Sequence, residues 1–117
     1  MTDNQLFGFE RLDVFRVAEE ALRIVIRYRQ QLRGLPGQIA GQLERAAVSV
    51  ICNITEAYGR GTIGERKSRL SIARGEANEA GAMAHVAQLY RVFTDGDYAT
   101  LRSNLLRVTW MLTAMMR

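Results

Sequence analysis

The chain has 117 residues, of which 48% are hydrophobic and 24% charged. That length suits one domain, and the composition is too apolar for wholesale disorder. Cys52 is the only cysteine, which excludes an intrachain disulfide and fits a reducing compartment, and no apolar run approaches the ~18 residues of a spanning helix.

Net charge is +4 with a pI of about 9.8, which mildly favours a polyanionic partner. The basic residues are 15 arginines and Lys67. Arginine's planar fork suits phosphate recognition, although GC-rich coding is a competing explanation for so much arginine. Met1 is followed by Thr-Asp-Asn-Gln rather than by a basic start and an apolar signal core, so a cytoplasmic location is expected.

The first helix is expected over 12–33. Phe15, Ala18, Leu22, Val25 and Leu32 make one apolar seam, and Val14, Val17, Ala21, Ile24 and Tyr28 make a second beside it. Asp13, Arg16, Glu20, Arg23 and Arg27 lie opposite. Two seams imply neighbours on two sides, within a bundle and between subunits. Gly34-Leu35-Pro36-Gly37 stops this helix.

The second helix is expected over 38–58. Its middle, Val48-Ser49-Val50-Ile51-Cys52-Asn53-Ile54-Thr55, is β-branched and strand-like in composition. Yet Ile39, Leu43, Ala47, Val50, Ile54 and Ala57 keep helical phase straight through it. No charge falls between Arg45 and Glu56, so this helix is expected to be the innermost.

The third helix is expected over 63–91, opened by a capping box in Thr62-Ile63-Gly64-Glu65. Its face is mostly Ala and Gly, which permits close approach of its neighbours. Thr94-Asp95-Gly96-Asp97 breaks the chain again, with Thr94 or Asp95 as cap. The fourth helix, 96–116, carries Tyr98, Leu101, Leu105, Val108, Leu112 and Met115 on its seam, with Trp110 and Met111 off it, facing another subunit. Four such helices on short turns give an all-α, antiparallel up-down-up-down four-helix bundle filling 1–117 as a single domain.

Several motifs compete for a functional role. Gly59-Arg60-Gly61-Thr62-Ile63-Gly64 is a literal G-x-G-x-x-G, but it follows a helical rhythm and no βαβ pattern comes after it. Gly59 is therefore expected as a helix C-cap, with Gly61 and Gly64 shaping a turn. The lone His85 offers no ligand set or triad, and Cys52 in an apolar helix reads as core. No catalytic, metal or cofactor site is expected.

The basic run is the stronger signal. Arg60, Arg66, Lys67, Arg69 and Arg74 face only Glu65 across the segment 60–74, at a helix N-terminus suited to phosphate. They are the nucleic-acid-binding candidates, against the plainer reading of a solvated helix end. Arg45, Asn53, Glu56 and Glu79 are expected to form a structural polar network that fixes register. Glu56 is judged too buried to stay unpaired, with Arg45, Arg60 or Arg74 as its partner.

The stretches "LERAAVSVICNITEAYGRG" and "ERKSRLSIARGEANEA" resemble a bacterial four-helix-bundle family that includes proteins encoded in 23S rRNA intervening sequences. The opening Leu12-Asp13-Val14-Phe15 with Ala18 is similar to the family's start. Ile51 and Cys52 stand where the family has Pro-Ser, Glu44 where it has Arg, Ala57 where it has Gly, and Phe15 where it has Trp.

The resemblance implies a homo-oligomeric ring, usually of five. It also implies kinship with accessory variability proteins of diversity-generating retroelements, which bind a reverse transcriptase and nucleic acid. The expected function is a non-enzymatic accessory module that meets RNA or DNA through an Arg-rich surface, alone or with a nucleic-acid enzyme. The alternative is a protein-protein scaffold that binds no nucleic acid.

Overall fold

The computed structural model describes residues 5–117, and in it every regular element is helical. After a 3-10 turn at Gly8–Arg11 come α1 (Asp13–Arg27), α2 (Arg29–Arg33), α3 (Ile39–Gly59), α4 (Ile63–Leu89) and α5 (Asp95–Met115). No strand occurs among the described residues, so helical period prevails over β-propensity at 48–55 because the Val50 and Ile54 side chains are buried on one helical face.

The first expected helix is in fact two. It breaks at Tyr28, where ψ of 12° leaves the helical range. The break sets the Tyr28 ring edge-on to Phe93 at 4.9 Å and lets its hydroxyl donate to Asp97 at 2.5 Å. A tertiary contact thus overrides a periodicity that runs on unbroken. Past α2, Gly37 takes a left-handed φ of 66°, which suits glycine, and α3 begins two residues later.

Caps define the later boundaries. Thr62 Oγ1 accepts from the Glu65 N–H at 3.1 Å, the hydroxyl half of the expected capping box. Thr94, rather than Asp95, caps α5 by accepting from the Asp97 N–H at 3.1 Å. The α4–α5 turn is held by Gln88, whose amide both donates to and accepts from the Phe93 backbone.

Each of the four longer helices packs on two others: α1 on α3 and α5, α4 on α3 and α5. Both seams of α1 are therefore used within the single chain. The core forms two clusters. One joins Ile24 late in α1 and Tyr28 just after it, Leu43 and Ala47 early in α3, Ala84 and Ala87 late in α4, and Leu101 early in α5. The other joins Val14 and Val17, Ile54 and Ala57, Leu70 and Ala73, and Val108 and Leu112, from the opposite ends of the same helices. The buried face of α4 is alanine at 73, 77, 80, 84 and 87, so α3 and α5 can approach it closely.

The expectation that the second helix is innermost does not hold in the single chain. α3 buries one face, while Val48 is 41% exposed and Cys52 is exposed beside it. The uncharged stretch reflects an open apolar outer strip, not enclosure on all sides. Cys52 is correspondingly a surface residue and not part of the core.

Candidate nucleic-acid interface

The α3–α4 turn brings the basic candidates to one end of the bundle, but it does not leave them equivalent. Arg60 and Arg69 both bind the Glu56 carboxylate, at 3.2 and 3.1 Å on its two oxygens. Their charge is thus partly neutralised by a residue one turn back on α3. Arg74 lies further along α4 and donates to Thr113 Oγ1 on α5 at 3.1 Å. Its guanidinium serves the α4–α5 seam, not the Arg60 corner.

Arg66 and Lys67 remain. Both are exposed, and neither makes an ion pair among the described residues. Arg66 Nε donates to the Arg60 carbonyl at 2.9 Å, which holds the side chain across the turn. The two follow the Thr62 cap within the first turns of α4, where the helix dipole adds positive potential.

The expected polar network separates into three parts. Arg45 bridges α3 to α4, binding Glu76 at 2.8 Å and also Glu79. Glu76 was missed in the sequence, although Glu76 and Glu79 at i, i+3 share a helix face. Glu56 is exposed, contrary to expectation, and is paired with Arg60 and Arg69 rather than with Arg45 or Arg74. Asn53 is buried but stays within its own helix, donating to the Ser49 carbonyl at 2.9 Å and to Ser49 Oγ at 3.1 Å. Asn53 and Glu56 therefore do not form a common network.

The glycine motif is a helix end followed by a helix start. α3 runs through Gly59, and Arg60, not Gly59, takes the C-cap in extended backbone at φ −81°. Gly64 lies inside the first turn of α4. None of Gly59, Gly61 or Gly64 has a left-handed φ, and a Cβ on any of them meets nothing within 4 Å. Nothing among the described residues requires glycine at these three positions.

Beside Arg66 and Lys67 opens a cavity of about 700 Å³ between the start of α1, the end of α3, the start of α4 and the end of α5. Its floor includes the buried Ile54, Ala57 and Leu70. Tyr58, Ile63 and Met115 line it with substantial exposure, and Arg117 lines it as well. Among the described residues no Asp or Glu side chain lines it. Sequence reasoning missed this cavity, because its walls come from four separate helix ends.

Among the described residues no group of three or more His, Cys, Asp and Glu could hold a metal ion, and His85 is a surface residue of α4. No helix among them is long and apolar enough to cross a membrane.

The chain matches the family model described as 23S rRNA-intervening sequence protein over residues 10–114. It belongs to that family. The matched span takes in α1 to α4 and all but the last residue of α5. Among solved structures it resembles a crystal structure from Bacteroides thetaiotaomicron, described as a protein of unknown function from the S23 ribosomal protein family. The TM-score is 0.71 at 20% identity, covering 86% of this chain and 98% of that one. At that identity the likeness concerns the fold. No curated protein matches the chain.

Proposed function

We propose that this chain is a non-enzymatic, cytoplasmic accessory protein, a single up-down-up-down antiparallel bundle that assembles into a homo-oligomer of five and contacts RNA or DNA. The observation that carries the nucleic-acid part is the pair Arg66 and Lys67, exposed at the start of α4 with no carboxylate partner among the described residues. A nucleic-acid enzyme such as a reverse transcriptase is the partner class that fits the family. The assembly part is supported by family membership and by exposed apolar surface on the outer helix faces, including Val48 on α3, Ile72 on α4 and Trp110 on α5.

The test is retention of mixed-sequence RNA at graded salt. Affinity should fall steeply as salt rises, because phosphate contacts release counterions. Arg66→Glu with Lys67→Glu should weaken retention strongly and lower the log–log salt slope of the residual binding by roughly 1.4 per engaged protomer on a single strand. Native mass spectrometry of the same variant should still show the pentamer. Absence of RNA retention at low salt overturns the nucleic-acid part, and a clean monomer overturns the ring.

A second reading, a scaffold that binds no nucleic acid, draws on one observation. Glu56 already holds Arg60 and Arg69, so these arginines have a structural use. Under that reading the unmodified protein retains no RNA and the double variant loses its oligomer.

A further inference from the structure

The cavity at the basic end is unusual in what it combines. Its floor is aliphatic, and among the described residues its lining holds one aromatic ring and charged side chains that are all cationic. Tyr58 is 52% exposed, although it occupies the last turn of α3 beside buried Ala57. Its position is set from the other side by the N-terminal turn. A Cβ on Gly8 would lie 2.1 Å from the Tyr58 hydroxyl oxygen and within 3 Å of two ring carbons, so only glycine at position 8 lets that ring lie where it does. The aromatic is thus propped at the mouth of the cavity, with Arg66 and Lys67 on the α4 side.

Resting on the nucleic-acid reading above, we infer that this cavity takes an unstacked base of a single-stranded nucleic acid, with the flanking phosphates on Arg66 and Lys67. Stacking platforms of this kind pair an aromatic face with a cationic track. The volume lies within the range of small-molecule pockets, so one base enters with room to spare. Besides the cations, the only polar side-chain group on the lining among the described residues is the Tyr58 hydroxyl. The cavity therefore has little with which to read a base edge, and binding tolerates any sequence. A duplex keeps its bases paired and can use only the cations.

The experiment measures fluorescence anisotropy of a labelled mixed-sequence single strand and of the matching duplex at low salt, with the full chain. The unmodified protein should bind the single strand at least about tenfold more tightly. Tyr58→Ala should weaken single-strand binding by roughly 5- to 150-fold, the span for losing one aromatic–base stack, and leave duplex binding unchanged. Tyr58→Phe should retain the preference, since the ring and not the hydroxyl does the stacking. Gly8→Ala, which pushes the ring aside without touching the cations, should shift single-strand affinity in the same direction as Tyr58→Ala.

Equal affinity of the unmodified protein for both forms overturns the base pocket while leaving the phosphate-binding reading intact, and needs no variant to fold. Loss of binding to neither form on Tyr58→Ala does the same. Dissociation of the oligomer on Tyr58→Ala also overturns it, because the cavity would then be covered by a second copy of the chain. Failure of the unmodified protein to bind either form removes the pocket and the nucleic-acid reading together.

Discussion

Asn104 lies on α5 between Leu101 and Val108, only 4% exposed, and its Nδ2 has no hydrogen-bond partner among the described residues. A buried donor left unmade costs about 1–3 kcal/mol relative to a partnered one, whereas an apolar group of similar shape avoids that cost. Asn104→Leu should therefore stabilise the fold by about 1–2 kcal/mol, read as a higher urea midpoint with an unchanged slope. No gain, or a loss, would show that the amide is satisfied by water. Asn53 is the contrast: equally polar and also buried, it is satisfied by Ser49 on its own helix, so Asn53→Leu should bring no comparable gain.

The α4–α5 junction shows how an element ends. Arg91 follows α4 with a φ of 61°, the left-handed region that non-glycine residues enter at a cost of about 1–2 kcal/mol. Its N–H still donates to the Gln88 carbonyl at 2.9 Å, so the conformation closes the helix. Arg91→Gly relieves the steric cost but adds backbone entropy to the unfolded chain, worth roughly 0.5–1 kcal/mol in the other direction. The net expectation is stabilisation of up to about 1 kcal/mol by thermal or urea melts. Destabilisation would mean that the arginine side chain makes a contact that outweighs the backbone term. The α3–α4 junction differs, since α3 ends in extended backbone at Arg60 and the next cap, Thr62, follows two residues on.

Across the whole molecule, the two ends of the bundle are held by different forces. At the end away from the cavity, Tyr28 and Arg27 converge on Asp97, tying α1 to α5, and Arg29 binds Glu44 at 2.7 Å, tying α2 to α3. The hydrogen bond from Tyr28 holds the Asp97 carboxyl below the ordinary carboxylate value, helped by Arg27 and opposed by burial. The Arg29 hydrogen bond lowers that of Glu44 in the same way. A carboxyl whose folded pKa is depressed binds its proton more readily when unfolded. The stability it gives is full above its unfolded pKa, near 4, and is lost as pH falls through the lower folded value. Wild type should therefore exceed Asp97→Asn in urea midpoint at neutral pH, with the gap closing below about pH 4. A gap that stays constant down through that range would show that the contact does not depend on the charge.

Periodicity alone was enough to make this chain all-helical, to overrule the strand-like composition of 48–55, and to reduce its glycine motif to a junction between helices. That follows because burial of one face every three or four residues is written in the order of the side chains. The position of Thr62 as a cap was legible for the same local reason, and the cap of α5 was narrowed to Thr94 or Asp95, between which the structure decides for Thr94. What lay beyond the sequence depends on which helix ends meet. The break at Tyr28 arises from Phe93 and Asp97, 65 and 69 residues away in the chain. Five basic candidates divide into Arg60 and Arg69 on Glu56, Arg74 on Thr113, and Arg66 and Lys67 without an ion pair among the described residues. That division is set by how α3, α4 and α5 are rotated about their axes. The cavity between four helix ends, and the glycine that props Tyr58 beside it, exist only after packing, because no local pattern specifies the space that separate elements leave between them.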